Sequence, residues 1–205
     1  MSMYVITHKK FNYPIPDGYI PLLVGANKNE NPGNYMTDNT GKNISDKNLN
    51  YSELTGLYWL WKNNHDENIG ISHYRRYFSK STTNNMFFYR TFMLGDPQPI
   101  SIKKLDDYLK TYDWIISAPE TVEEGSMEKH FIHCHHEQDL ITTKKVVQEM
   151  YPEYMESFEK FIHGDKASFL NMFYTTKQQM DKYCEWLFQI LFEVEKRVDI
   201  SDYDT

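Results

Sequence analysis

Three polar clusters hold the residue types able to do chemistry. Thr7-His8-Lys9 closes a short β-rich run at residues 3–7, and His73-Tyr74-Arg75-Arg76 closes another at residues 69–74. The third cluster is His130, His133, His135 and His136, half of the chain's eight histidines, with Cys134 among them and Asp139 just beyond. A guanidinium fork matches two phosphate oxygens at once, so paired arginines at a strand end suit a diphosphate. Continued as a strand, residues 75 and 76 send their side chains to opposite faces, where surface carboxylates could pair with them instead. Crowded imidazoles suit proton transfer or a metal, yet the spacing holds neither an HExxH nor a CxxC pair. Helix capping or solvent exposure accounts for most of them equally well.

Glu53 stands three residues after Asn50, the spacing of a capping box. Asp38 lies in an Asn-rich stretch and reads as a turn residue, while Asp106 and Asp107 fall in a helical pattern and read as solvated. Asp202-Tyr203-Asp204 is a literal DxD, but it follows a helix at the end of the chain. No Gly-rich phosphate loop and no GxSxG elbow occurs.

The elements that must position these residues follow from periodicity and turn chemistry. Strands are expected at 3–7, 19–25, 69–74, 114–118 and 169–174, with Pro21 pushing the second toward a sheet edge. Residues 26–50 hold eight Asn, two Gly and one Pro, which predicts a long loop. Helices are expected at 51–63, where Leu54, Leu57, Tyr58 and Trp61 recur at helical spacing, and at 101–110, 140–150, 152–161 and 178–197. Residues 79–100 read as irregular with a short hairpin near 86–89, and residues 120–136 as a polar, His-rich segment. Alternating strands and helices predict an α/β layered fold with a largely parallel sheet. In such sheets ligands bind outside the carboxyl ends of the strands, where all three clusters fall.

Composition narrows the classes. A net charge of −7 argues against a nucleic-acid binder, which needs a broad basic face. Two distant cysteines make no disulfide framework, so a reducing, cytoplasmic setting is expected. The start reads as no signal peptide, and no apolar run approaches the ~20 residues of a membrane helix.

The blocks "NYSELTGLYWLWKN" and "HYRRYF", in this order, resemble the signature of a bacterial family of unknown-function domains, family 4422. Its members are regarded as glycosyltransferases of capsular and exopolysaccharide biosynthesis. "YVITHKKF", "YDWIISAPE", "HCHHEQDL" and "NMFYTTKQQMDKYCEWLF" extend the likeness over most of the chain. It implies a single glycosyltransferase-like domain over residues 1–205 with a GT-A-like, Rossmann-like α/β/α fold. Similar proteins continue past the last helix, so the chain ending at Thr205 reads as C-terminally shortened.

The resemblance also implies an activity: a hexosyltransferase moving a sugar, galactose foremost, from a nucleotide-diphosphate donor such as a UDP-sugar. The acceptor would be a growing capsular, exopolysaccharide or lipopolysaccharide glycan, carried on lipid at the inner face of the cell membrane. Many GT-A enzymes hold the diphosphate through a DxD-bound divalent cation, Mn or Mg, and here His73-Tyr74-Arg75-Arg76 takes that place. The donor-binding set is then Thr7, His8, Lys9, Asp38, Asn48, His73, Arg75 and Arg76. Glu53, His133, His135, His136 and Asp139 are the candidates for the catalytic base or orienting group. Two rival readings are a non-catalytic glycan- or nucleotide-binding module of a polysaccharide assembly system, and a metal-dependent hydrolase built on the histidines.

Overall fold

The computed structural model describes the chain apart from residues 13, 81–85, 87–88, 97 and 201–205. Its contacts gather in two compact units: Met1–Ser117 with Leu170–Lys182, and Ala118–Phe169 with Tyr183–Thr205.

The first unit is built on a six-stranded sheet. β1 (Ser2–Thr7) is buried along its whole length, as a strand covered on both faces must be. It pairs in parallel with β2 (Tyr19–Leu23) and with β4 (Asn68–His73), and β2 pairs in parallel with the two-residue β3 (Met36–Thr37). β5 (Trp114–Ile116) and β8 (Phe173–Thr176) complete the order β3-β2-β1-β4-β8-β5, with β8 antiparallel to both neighbours. Pro21 does not make β2 an edge strand. β3 pairs only Leu22 and Leu23, so Pro21 needs no ladder bond on that side.

Helices cover both faces of this sheet. α1 (Asn48–Tyr51) is short, and α2 (Leu54–Asn63) packs on one face through Gly56. A Cβ there would stand 2.8 Å from Val24 Cγ1 and 2.9 Å from Ile6 Cδ1, so only glycine permits this approach. α3 (Ile102–Leu109) covers the other face, where Met3, Val5, Tyr19 and Tyr174 are buried with Ile102 and Leu105. Ser101 caps it, its Oγ accepting from Lys104 N. Gly70 lets Tyr174 lie flat on β4: a Cβ would meet the Phe173 carbonyl oxygen at 2.4 Å and the Tyr174 ring at 2.7 Å.

The single helix expected over 51–63 is two. Ser52 takes a positive φ of 46° with ψ −126°, which ends α1 and restarts the chain at Leu54. The Asn50–Glu53 capping box therefore does not form. Glu53 occupies the N-cap position with no side-chain capping bond. The hairpin expected near 86–89 falls largely outside the described residues. Beside it lie a π-helical turn at Tyr89–Met93 and two antiparallel contacts, Lys80 N to Gln98 O (3.0 Å) and Ile100 N to Phe78 O (2.8 Å).

In the second unit β6 (Glu120–Thr121) pairs antiparallel with β7 (Lys166–Ala167). The His-rich segment contains a helix, α4 (Met127–Cys134), which Ser126 caps by accepting from Lys129 N. α5 (Glu137–Met150) follows, and then a 3-10 turn at Pro152–Tyr154 leads into α6 (Met155–His163). The core holds Val146, Val147 and Ile190, packed by Tyr151, Phe158 and Trp186. α7 (Lys177–Arg197) is divided between the units at Lys182. Among the described residues, no helix is long and apolar enough to cross a membrane.

Candidate functional site

In the first unit the parallel strands β2, β1 and β4 end along one edge. α2 leads through residues 64–67 into β4, so its N-terminus, with Glu53, stands at that same edge.

β1 ends in a turn closed by its own threonine: Thr7 Oγ1 donates to Lys9 O (2.5 Å) and accepts from Lys9 N (3.1 Å). β4 ends in a tighter one. His73 N donates to Arg76 O (2.7 Å) and Arg76 N to His73 O (3.1 Å), leaving Tyr74 and Arg75 as the two central residues. Tyr74 N donates to Ile6 O (3.1 Å), which ties this turn to β1. The strand thus stops before the arginines, and the alternation expected of them is replaced by turn geometry. His73 Nε2 donates to Leu170 O (2.8 Å), tying the end of β4 to the segment before β8.

Tyr74 is the centre of the site. Lys9 Nζ lies 5.3 Å and Arg75 Cζ 5.0 Å from its ring centroid, and His8 meets it edge-on at 5.3 Å. Its hydroxyl is buried without a partner. Lys9, Arg75 and Arg76 are all exposed, and none pairs with a carboxylate among the described residues. Among the described residues, the surface ion pairs that would explain the arginines without a ligand are not made. His8 is held below the usual histidine range, first by partial burial and then by Lys9 and Arg75.

Asp38 is fully buried behind this edge. Its Oδ2 accepts from Gly25 N (2.9 Å) and Thr55 Oγ1 (2.6 Å), its Oδ1 from Ala26 N (3.0 Å) and Ser45 Oγ (2.6 Å). The carboxylate is saturated by protein donors and acts by fixing the loop after β2 to the start of α2. Asn48 Nδ2 donates to Ser52 O (2.7 Å) and Thr55 Oγ1 (3.1 Å), holding the strained residue that precedes Glu53. Glu53 is half-buried, and its carboxylate has no partner among the described residues.

These residues do not suit a divalent ion. Cations occupy the end of β4, and the one buried carboxylate behind the edge is already satisfied. Among the described residues no three His, Cys, Asp or Glu side chains gather as metal ligands.

Thr7, His8, Lys9, Asp38, Asn48, Glu53, His73, Arg75 and Arg76 thus belong to the first unit. His133, His135, His136 and Asp139 belong to the second. There His133 is exposed in the last turn of α4, His135 ends that helix with its ring 4.9 Å from Phe131, and His136 precedes α5 without capping it. Asp139 lies in the first turn of α5. Tyr74, which gathers Lys9, Arg75 and His8 about its ring, is absent from the residues singled out by motif, although a ring directly beside two arginines was its signal.

Fold and edge together define an α/β protein of GT-A-like layering with a cationic site at its parallel strand ends. The chain belongs to the family described as Domain of unknown function (DUF4422), which matches residues 2–205. No curated protein matches it. Among solved structures it is similar to the apo structure of the bifunctional glycosyltransferase WbbM, at 26% identity and a TM-score of 0.83. That likeness covers 99% of this chain and 38% of WbbM, so the chain spans well under half of that protein's length.

Proposed function

We propose that this protein is a glycosyltransferase that moves a hexosyl group, galactose foremost, from a UDP-sugar onto a capsular, exopolysaccharide or lipopolysaccharide glycan. The observation that carries the reading is the cationic group at the carboxyl edge of β1 and β4, Lys9 and Arg75 over Tyr74 with Arg76 next in the turn, none of them paired with a carboxylate among the described residues. The glycosyltransferase likeness adds the reaction class. Thr7, His8 and Lys9 border the nucleotide in this reading, and Arg75 and Arg76 offset the charge that develops on the departing diphosphate. His73, Asp38 and Asn48 position the loops that carry them. Glu53 is the base we assign to the acceptor hydroxyl. A lipid-linked acceptor would bring the protein to the inner face of the membrane.

With cations at the end of β4 and Asp38 fully engaged by protein donors, nucleotide affinity should not depend on Mn²⁺. The test is UDP affinity by thermal shift, with and without Mn²⁺, for wild type, Arg75→Ala and Arg76→Ala. A charge-assisted hydrogen bond contributes about 1.5–3 kcal/mol, so losing a diphosphate contact should weaken binding roughly 10–100-fold. Unchanged affinity in both variants overturns the donor site. UDP binding without UDP release from any UDP-hexose and glycan acceptor favours the non-catalytic binding module.

A further inference from the structure

We propose that Glu124, His130 and Phe169 form a saccharide-binding subsite within the second unit. Beyond the β6–β7 pairing, Val122 N donates to Asp165 O (2.8 Å) and Met127 N to Gly164 O (2.8 Å). The segment carrying Glu124 is thereby zipped to the one leading into Phe169. Ser126 starts α4 at a set position, and one turn along it His130 comes back over Glu124. His130 Nδ1 lies 3.0 Å from Glu124 Oε2, so Nδ1–H donates to the carboxylate and Nε2 is left for a further hydrogen bond. The Phe169 ring meets the imidazole edge-on at 5.3 Å and is 43% exposed. Both polar side chains also reach solvent, Glu124 at 28% and His130 at 30%.

The combination selects a ligand. An open aromatic face asks for C–H groups, the carboxylate asks for hydroxyl donors, and the second imidazole nitrogen pairs with a hydroxyl in either direction. Glu124 repels phosphates and other anions, and its carboxyl is held below the usual range by its own amide, His130 and His133. A neutral hexose ring supplies the apolar face and the hydroxyls together. Choosing a sugar over another neutral polyol rests on the transferase reading above, whereas the subsite's geometry does not.

Ligand-observed saturation-transfer NMR on the full chain tests it, with methyl galactoside and methyl glucoside as probes and UDP measured in parallel. Wild type should transfer saturation to the ring C–H protons of at least one glycoside. Phe169→Ala should abolish that signal, and Glu124→Gln and His130→Gln should weaken the affinity at least tenfold, all with the UDP signal unchanged. Should Phe169→Ala melt early, Phe169→Leu keeps the bulk without the aromatic face and should lose the signal too. No transfer to either glycoside in wild type, or equal transfer in a folded Phe169 variant, overturns the subsite. Glycoside transfer without any UDP signal leaves the subsite standing and refutes the donor site instead.

Discussion

Replacing Asp38 by alanine removes the acceptor shared by four donors, and the four do not suffer equally. The hydroxyls are free to rotate: Thr55 Oγ1 already lies 3.2 Å from Ser52 O, an acceptor for its proton, and Ser45 Oγ keeps the bond it accepts from Asn27 N (3.4 Å). The amides of Gly25 and Ala26 are fixed by the backbone and stay aimed at the vacated space. An unsatisfied buried donor costs about 1–3 kcal/mol, so two cost roughly 2–6 kcal/mol, the lower end applying where water enters. Against a typical total of about 5–15 kcal/mol, that is a large share. Asp38→Asn keeps the shape but turns an NH2 toward two of the donors, so it should fall between wild type and Asp38→Ala. Urea unfolding followed by tryptophan fluorescence reads the loss, since Trp59 of the same unit is anchored through Nε1 to Thr40 (3.0 Å). A loss under about 1 kcal/mol for Asp38→Ala would refute the view that this carboxylate holds the loop.

Two further outcomes are expected. His8 has its pKa lowered by burial, Lys9 and Arg75, so the folded chain accepts its proton less readily than the unfolded one. Its contribution to stability is therefore full above the ordinary histidine pKa of ~6.5 and is lost as pH falls below it. A bound diphosphate reverses the field, so UDP binding near pH 6 should take up a proton. Calorimetry in buffers of different ionisation heat reads that uptake, His8→Gln should abolish it, and no uptake in wild type would count against the site. Gly70→Ala sets a methyl group against a backbone oxygen and a fully buried ring, so it should cost at least the upper part of the about 1–3 kcal/mol usual for overpacking. A melting curve matching wild type would show that β8 can shift away.

The strand expected at 169–174 lies at Phe173–Thr176, whereas the end of β1, the starts of β2 and β5, and α3 were legible because their signals are local: apolar runs bounded by polar residues, and Ser101 placed to cap. The break at Ser52 was not, since helical spacing continues through it and only the Asn48 clamp sets the reversed φ. The turn at His73–Arg76 was hidden for a related reason. Nothing in "SHYRRYF" stops a strand, and the turn is held from outside by Ile6 O. Asp38 read as a loop residue because its donors, at positions 25, 26, 45 and 55, converge only once the sheet has formed. Helix α4 was masked by its histidines and by the absence of any buried position along it.

β8 carries a consequence for how the molecule is made. It reaches β4 from far along the chain, and even the His73–Leu170 bond that accompanies it spans 97 residues. During synthesis, residues 1–117 emerge with β4 as an unpaired edge and with the place of Tyr174 over Gly70 empty. Closing so long a loop before any reward slows folding, and an open strand edge invites pairing with another nascent chain. A fragment ending near residue 117 should therefore aggregate, and circular permutants that place residues 170–182 ahead of β1 should fold faster.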